Sequence, residues 1–191
     1  MNFASPTRHC WPKQSCKPAE TEERAEKVMN KHKPVSKQLK PGEGEILTLL
    51  GEPPRAIKVL PSENEGAYLQ FETSHAPGMT IPLHAHRDED EAFYVLAGEF
   101  EFIVGAEKMT ATTGAFLFAP RGALHGFTAV RKNPGRLLIT VSPGTQHERF
   151  FRGVVEIERT RRKPPESSEL LRLAEKHGWV FPSSIVEETN A

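Results

Sequence analysis

Short apolar runs bounded by Gly, Pro, Asn and Ser begin at Glu45 and recur to Val141: EILTLLG, AIKVLP, AYLQFET, MTIPLHAH, EAFYVLAG, EFEFIVG, EKMTATTG, AFLFAP, HGFTAV and RLLITVSPG. Runs of this length and regular punctuation predict an all-β sandwich or barrel. Ala97-Gly98 separates Phe93–Leu96 from Phe100–Val104, and Val104-Gly105-Ala106-Glu107 comes next. Both read as hairpin turns within a meander of adjacent antiparallel strands. In an extended strand, alternate side chains share a face. If Glu91 faces inward, Phe93 and Val95 do so too, while Tyr94 and Leu96 face out. Both sets are apolar, so the outer one needs a cover: another sheet, a helix or a second copy of the chain. A homodimer is the expectation.

Outside this region the pattern changes. Residues 1–41 are rich in Lys, Glu and Pro and poor in large apolar residues, a composition that predicts a flexible tail. Within it, Glu20–His32 has helix-forming residues but only Ala25, Val28 and Met29 as an apolar face. After Val141, the stretch SPGTQHERFFRGVVEIERTRRKPP predicts a short helix or an extended arm across the barrel. Leu170, Leu173, Ala174 and His177 then recur at helical spacing, with Ser167 or Ser168 as cap and Gly178 as stop. The expected organisation is a tail over 1–41, a barrel over 42–160, and a helix and arm packed on it over 161–191.

Composition narrows the function classes. Acidic and basic residues balance at 25 each, giving no net field to attract nucleic acid or an anionic membrane. No apolar run approaches the roughly 20 residues of a membrane span, and the N-terminal residues lack a secretory h-region. A soluble, cytoplasmic protein is expected. The two cysteines, Cys10 and Cys16, lie in the tail and read as free thiols.

The candidate chemistry lies in GMTIPLHAHRDEDEAFYVLAG, Gly78 to Gly98. His84 and His86 are two residues apart, so a strand presents both imidazoles on one face. Glu91 joins them if the chain turns at RDED and returns as a neighbouring strand. A further ligand is available in GAFLFAPRGALHGFTA, where a strand meets the Pro120-Arg121-Gly122 turn and then His125. Three neutral imidazoles and a carboxylate suit Fe, Mn, Co, Ni, Cu or Zn, one divalent ion per chain. His75 and His147 fall in no such pattern and read as ordinary surface or hydrogen-bonded residues. The run Asp88, Glu89, Asp90 lacks the spaced ligands of a calcium loop and reads as a solvated turn.

The two stretches resemble the motifs of the cupin superfamily. Gly78, His84, His86, Glu91 and Gly98 match every fixed position of G-x5-H-x-H-x4-E-x6-G. Gly114, Pro120, Gly122 and His125 match the second motif, whose last position, often Asn, is Ala129 here. The resemblance implies a double-stranded β-helix, or jelly-roll barrel, with His84, His86, Glu91 and His125 holding a metal inside. Within the superfamily, DEDEAFYVLAGEFEF, FAPRGALHGF, SPGTQHERFFRGV and LLRLAEKHGWVF look like single-domain proteins related to quercetin 2,3-dioxygenase. That likeness implies a metal-dependent dioxygenase of flavonol-type or enol substrates, using O₂ and with Glu91 as ligand or general base. A metal-dependent isomerase or lyase, and a non-catalytic metal or small-molecule binding protein, are the alternatives. Most of the phenylalanines are expected in the core. Phe93 and Phe127, which share a face with Glu91 and His125, are the first candidates for a substrate pocket, with Met79 and Tyr68 after them.

Overall fold

The computed structural model describes residues 36–49, 53–130, 133–161 and 166–182. The chain divides into Met1–Lys37 and Gln38–Ala191, and every element named below belongs to the second unit. The readings of Glu20–His32, Cys10 and Cys16, and all but the last residues of the expected tail, lie outside the described residues.

Among the described residues, eleven strands and two α-helices run in order: β1 Glu45–Leu47, β2 Arg55–Val59, β3 Leu69–His75, β4 Thr80–His86, β5 Asp90–Ala97, β6 Glu99–Val104, β7 Glu107–Thr112, β8 Phe116–Ala119, β9 His125–Ala129, β10 Gly135–Ser142, α1 Thr145–Arg161, α2 Ser167–Lys176 and β11 Trp179–Val180. They form a six-stranded sheet, β1-β2-β3-β10-β5-β8, and a five-stranded sheet, β11-β4-β9-β6-β7. All described pairings are antiparallel. From β3 to β6 strands consecutive in sequence alternate between sheets, the arrangement of a jelly-roll, double-stranded β-helix barrel.

This alternation corrects the expected meander. β5 pairs with β10 and β8, while β6 pairs with β7 and β9, so Ala97-Gly98 is a crossing between sheets and not a hairpin. Gly98 has φ +85°, and a Cβ there would lie 2.7 Å from the Gly135 Cα, so the crossing needs glycine on both counts. The turn at Gly105 does close a hairpin, with Val104 opposite Glu107.

The inward positions follow the period of two. Ile57, Phe71, Ile139, Phe93 and Leu117 lie side by side across the first sheet, and Phe102 and Phe127 face them from the second. Phe93, Phe100, Phe102 and Phe127 form a ring-on-ring cluster with centroids 5.2–6.0 Å apart. Not every phenylalanine joins it. Phe116 and Phe118 are 65% and 53% exposed because β8 turns Leu117 and Ala119 inward, which leaves both rings on the outer face beside the 43%-exposed Tyr94.

The segment after the barrel is a 17-residue helix rather than a short helix or an arm. His147, Phe150, Phe151 and Val154 recur at i, i+3, i+4 and i+7, which buries one face against the core. Helix α2 is capped by Glu166, whose side chain makes no cap hydrogen bond, and neither serine takes that role. The chain then adds β11 along β4, with Trp179 opposite His86 and Val180 opposite Ala85. No described helix is long and apolar enough to cross a membrane.

Candidate metal centre and its cavity

β4 supplies His84 and His86, β5 supplies Glu91 and β9 supplies His125. The turn at RDED does not return the chain as a neighbouring strand. β4 and β5 belong to opposite sheets, so Glu91 meets the imidazoles across the barrel interior. A bulge between Ile81 and His84 is the local device that makes this possible. These residues are three apart and would face opposite ways in a regular strand, yet Ile81 pairs with Phe127 and His84 with His125 on the same strand pair. Pro82, which lacks an N–H for the ladder, sits within the irregularity.

Two hydrogen bonds fix the ring orientations. Nδ1–H of His84 donates to the Pro82 carbonyl at 2.8 Å, and Nδ1–H of His125 to the Ala123 carbonyl at 2.9 Å. Each leaves Nε2 turned toward the interior, the orientation that metal-binding histidines take from such outer partners. Glu91 Oε2 accepts from His86 Nε2 at 2.9 Å and from His125 Nε2 at 3.0 Å. All four residues are at most 4% exposed, and one donor atom from each lies within 4.8 Å of the others.

Electrostatics suit a cation. Burial alone raises the Glu91 carboxyl, but hydrogen bonds from His125 and His86 outweigh it and hold the group well below the usual carboxylate range. Burial lowers His125, yet its bond to Glu91 lifts it above the ordinary histidine value. Burial, followed by the neighbouring His125 and His86, pushes His84 down to about 3, so it is neutral at pH 7. The carboxylate's charge is therefore met by imidazole protons pointing where a cation would sit. Donor atoms about 2.1 Å from one ion lie roughly 3–4 Å apart, so the set needs only small shifts to ligate, and uptake would release those protons. The residues fit a divalent transition ion.

The second ligand segment is tied to the first. Asp90 accepts from the Arg121 backbone N–H at 2.8 Å, from Nε at 3.0 Å and from Nη2 at 2.8 Å. Gly122 N–H donates to the His86 carbonyl at 2.8 Å, from a turn whose Gly122 φ of +79° favours glycine. Glu89 is not solvated either. It is 2% exposed, and its two carboxylate oxygens accept the backbone N–H groups of Gln146 and His147 at 2.9 and 3.1 Å. It thus closes the N-terminus of α1, where a negative charge is favoured. Burial still raises its carboxyl above the ordinary value. Of the acidic run, only Asp88 matches the expected solvated turn.

Beside the four ligand candidates lies a cavity of about 40 Å³, walled by Phe71, Phe93, Phe127, Ile139, Phe151 and Trp179 among others. Phe93 and Phe127 line it; Met79 and Tyr68 do not. Two histidines expected to be ordinary surface or hydrogen-bonded residues line it instead. His75 is 3% and His147 2% exposed, with both ring nitrogens of His75 and Nδ1 of His147 lacking a hydrogen-bond partner. The His147 ring lies 4.9 Å from that of His86 and 4.7 Å from Trp179. Trp179 stacks on His84 at 4.7 Å and meets His86 edge-on at 4.4 Å, covering the imidazoles. His75 was legible, because Phe71, Thr73 and His75 alternate onto one face of β3. His147 and Trp179 carry no local signal: a helix and a C-terminal strand bring them in.

Residues 71–142 match the Cupin domain family. An uncharacterized protein of Streptomyces coelicolor is 30% identical over 88 residues, which cover 42% of this chain and 83% of that one. Among solved structures, KdgF from Halomonas sp. is 20% identical with a TM-score of 0.51, over 60% of this chain and 99% of its own. An RmlC-like cupin from Shewanella frigidimarina is 23% identical with a TM-score of 0.51, over 60% and 96%. At these identities the structures establish the shared fold.

Proposed function

This chain belongs to the cupin family, and from that premise we propose that it is a metal-dependent oxygenase of acidic enol-type or aromatic hydroxyl substrates. The observation that carries the reading is a buried three-histidine, one-carboxylate set opening onto a small cavity walled mainly by aromatic rings. His84, His86 and His125 would hold the ion through Nε2, with His84 and His125 aligned by the Pro82 and Ala123 carbonyls. When bound, the ion supplies Lewis-acid stabilisation of a substrate oxyanion. Once the Nε2 atoms of His86 and His125 are engaged they cannot also donate to Glu91. Its carboxylate then either completes the ligand set or takes the proton of the substrate hydroxyl, a step worth typically 10²–10⁴-fold.

Size refines the substrate. A cavity of about 40 Å³ holds roughly three waters, whereas sites for drug-sized ligands occupy roughly 300–1,000 Å³. Trp179 lines this cavity, which as it stands is far smaller than a three-ring flavonol and favours a small enol. We propose further that the chain is a homodimer joined through the exposed face of Tyr94, Phe116 and Phe118.

The test is oxygen uptake by the chelated protein reloaded separately with Fe, Mn, Co, Ni, Cu or Zn, offered acetylacetone and quercetin. Oxygen-dependent loss of the enol with at least one metal supports the reading. Turnover without oxygen would indicate an isomerase or lyase, and a metal-loaded protein inert toward both substrates a binding protein; either overturns it.

A further inference from the structure

Two cavities meet at Trp179. The inner one, of about 40 Å³, adjoins His84 and Glu91. The other, of about 480 Å³, is a surface groove lined by Arg87, Leu171, Glu175, Val180 and Phe181. Among the described residues, Trp179 alone lines both. Little chain builds this wall. After α2, Gly178 at φ +82° turns the chain into β11, which adds only two residues at the edge of the five-stranded sheet. Alternation leaves Val180 48% exposed and lays the Trp179 indole over the imidazoles, stacked on His84 with 17° between the planes. The His147 and Phe150 rings meet it at 4.7 and 4.6 Å. Buried tryptophans usually find an acceptor for the indole N–H, yet Nε1 of Trp179 is buried without one. Ring packing therefore holds this side chain, and what it supplies at the boundary is bulk.

We propose that Trp179 is the specificity-determining residue of the site: its indole sets the upper size of ligand that reaches the histidine cluster by walling the inner cavity off from the groove. With the wall in place the cluster accepts molecules that fill about three waters' worth of space. With the indole removed, the inner cavity and the groove become one space, large enough for a ligand that carries an aromatic ring. Leu171, Val180 and Phe181 give the groove apolar surface for that ring, and Arg87 and Glu175 mark its polar side. The Arg87 guanidinium donates through Nη2 to the Glu175 carbonyl at 3.1 Å, and the Arg87 backbone N–H donates to the Gly178 carbonyl at 2.8 Å. These bonds tie the groove to the base of β11, so its shape does not depend on the indole alone. The size limit rests on the metal-centre reading only for what lies at the inner end of the cavity.

The experiment loads the full chain with cobalt(II), whose visible spectrum reports entering ligands, and titrates it with acetohydroxamate and with the larger benzohydroxamate. The parent should prefer acetohydroxamate by at least about tenfold, and Trp179→Ala should shift that preference at least about tenfold toward benzohydroxamate. The ratio of the two affinities is the readout, because a site merely loosened by the substitution would weaken both ligands together. Trp179→Phe, which keeps a smaller ring in the wall, should fall between parent and Trp179→Ala. An unchanged ratio in Trp179→Ala, or a parent that binds both hydroxamates equally well, overturns the size limit. A parent that takes up no cobalt sinks the metal centre, and the wall is then judged on metal-free protein by calorimetric titration with indole. Indole bound by Trp179→Ala and not by the parent leaves the wall standing, and no binding to the variant overturns it as well.

Discussion

His75→Phe should flatten the acid limb of the protein's stability curve. The imidazole is 3% exposed, and burial followed by the charge of Arg55 lowers its value from 6.5 to about 4. Above pH 6.5 the group is neutral in both folded and unfolded chains and contributes no pH dependence. Below it, the unfolded chain takes up a proton that the folded chain refuses, so stability falls as the pH drops and levels off near pH 4. The slope is about 1.4 kcal/mol per pH unit, or about 3 kcal/mol across the window. Phenylalanine has no proton to bind, and it removes an unpartnered polar ring from the core. The variant should therefore equal or exceed the parent at pH 7 and gain on it steadily down to about pH 4. Urea unfolding of chelated protein at about pH 7, 6, 5 and 4 measures this, and the difference between the two proteins cancels the titration of His84, His125 and His147. Parallel curves over that range would refute the burial argument for His75.

Three other perturbations are as direct. Glu89→Ala should lose about 2–4 kcal/mol, because the first turn of α1 loses a charged acceptor for two amides; thermal melting should show a drop of several degrees, and an unchanged midpoint would contradict the capping role. Phe116→Ser with Phe118→Ser should shift the proposed dimer to monomer in sedimentation with little change in the barrel's melting, since both rings are more than half exposed. Glu91→Gln should retain much of the metal and lose most turnover, and a variant with full activity would remove Glu91 as base.

Much of the fold was legible because strands declare themselves locally. The runs AYLQFET, EAFYVLAG and RLLITVSPG placed strands within a residue or two of β3, β5 and β10. Which strands pair is not a local property. Ala97-Gly98 looks like a hairpin turn, and only the packing of two sheets shows it to be a crossing. The site divides in the same way. His84, His86, Glu91 and His125 stood out because their spacing could be read in one dimension, although the route by which Glu91 reaches them could not. Glu89 looked solvated because nothing in RDED announces that a helix begun more than 50 residues later, at Thr145, will bury its carboxylate. The roles of His147 and Trp179 are hidden from the sequence for the same reason. The packing of α1 and the return of β11, not sequence neighbours, set them against the imidazoles.

The central claim is that His84, His86, Glu91 and His125 hold one transition-metal ion. Elemental analysis of the chelated chain, reloaded and freed of excess metal, tests it most directly when run beside His86→Ala. Close to one ion per parent chain and little in the variant is the predicted result, both proteins being folded by circular dichroism. A folded parent chain that retains no metal after reconstitution, or a variant that retains as much as the parent, contradicts it.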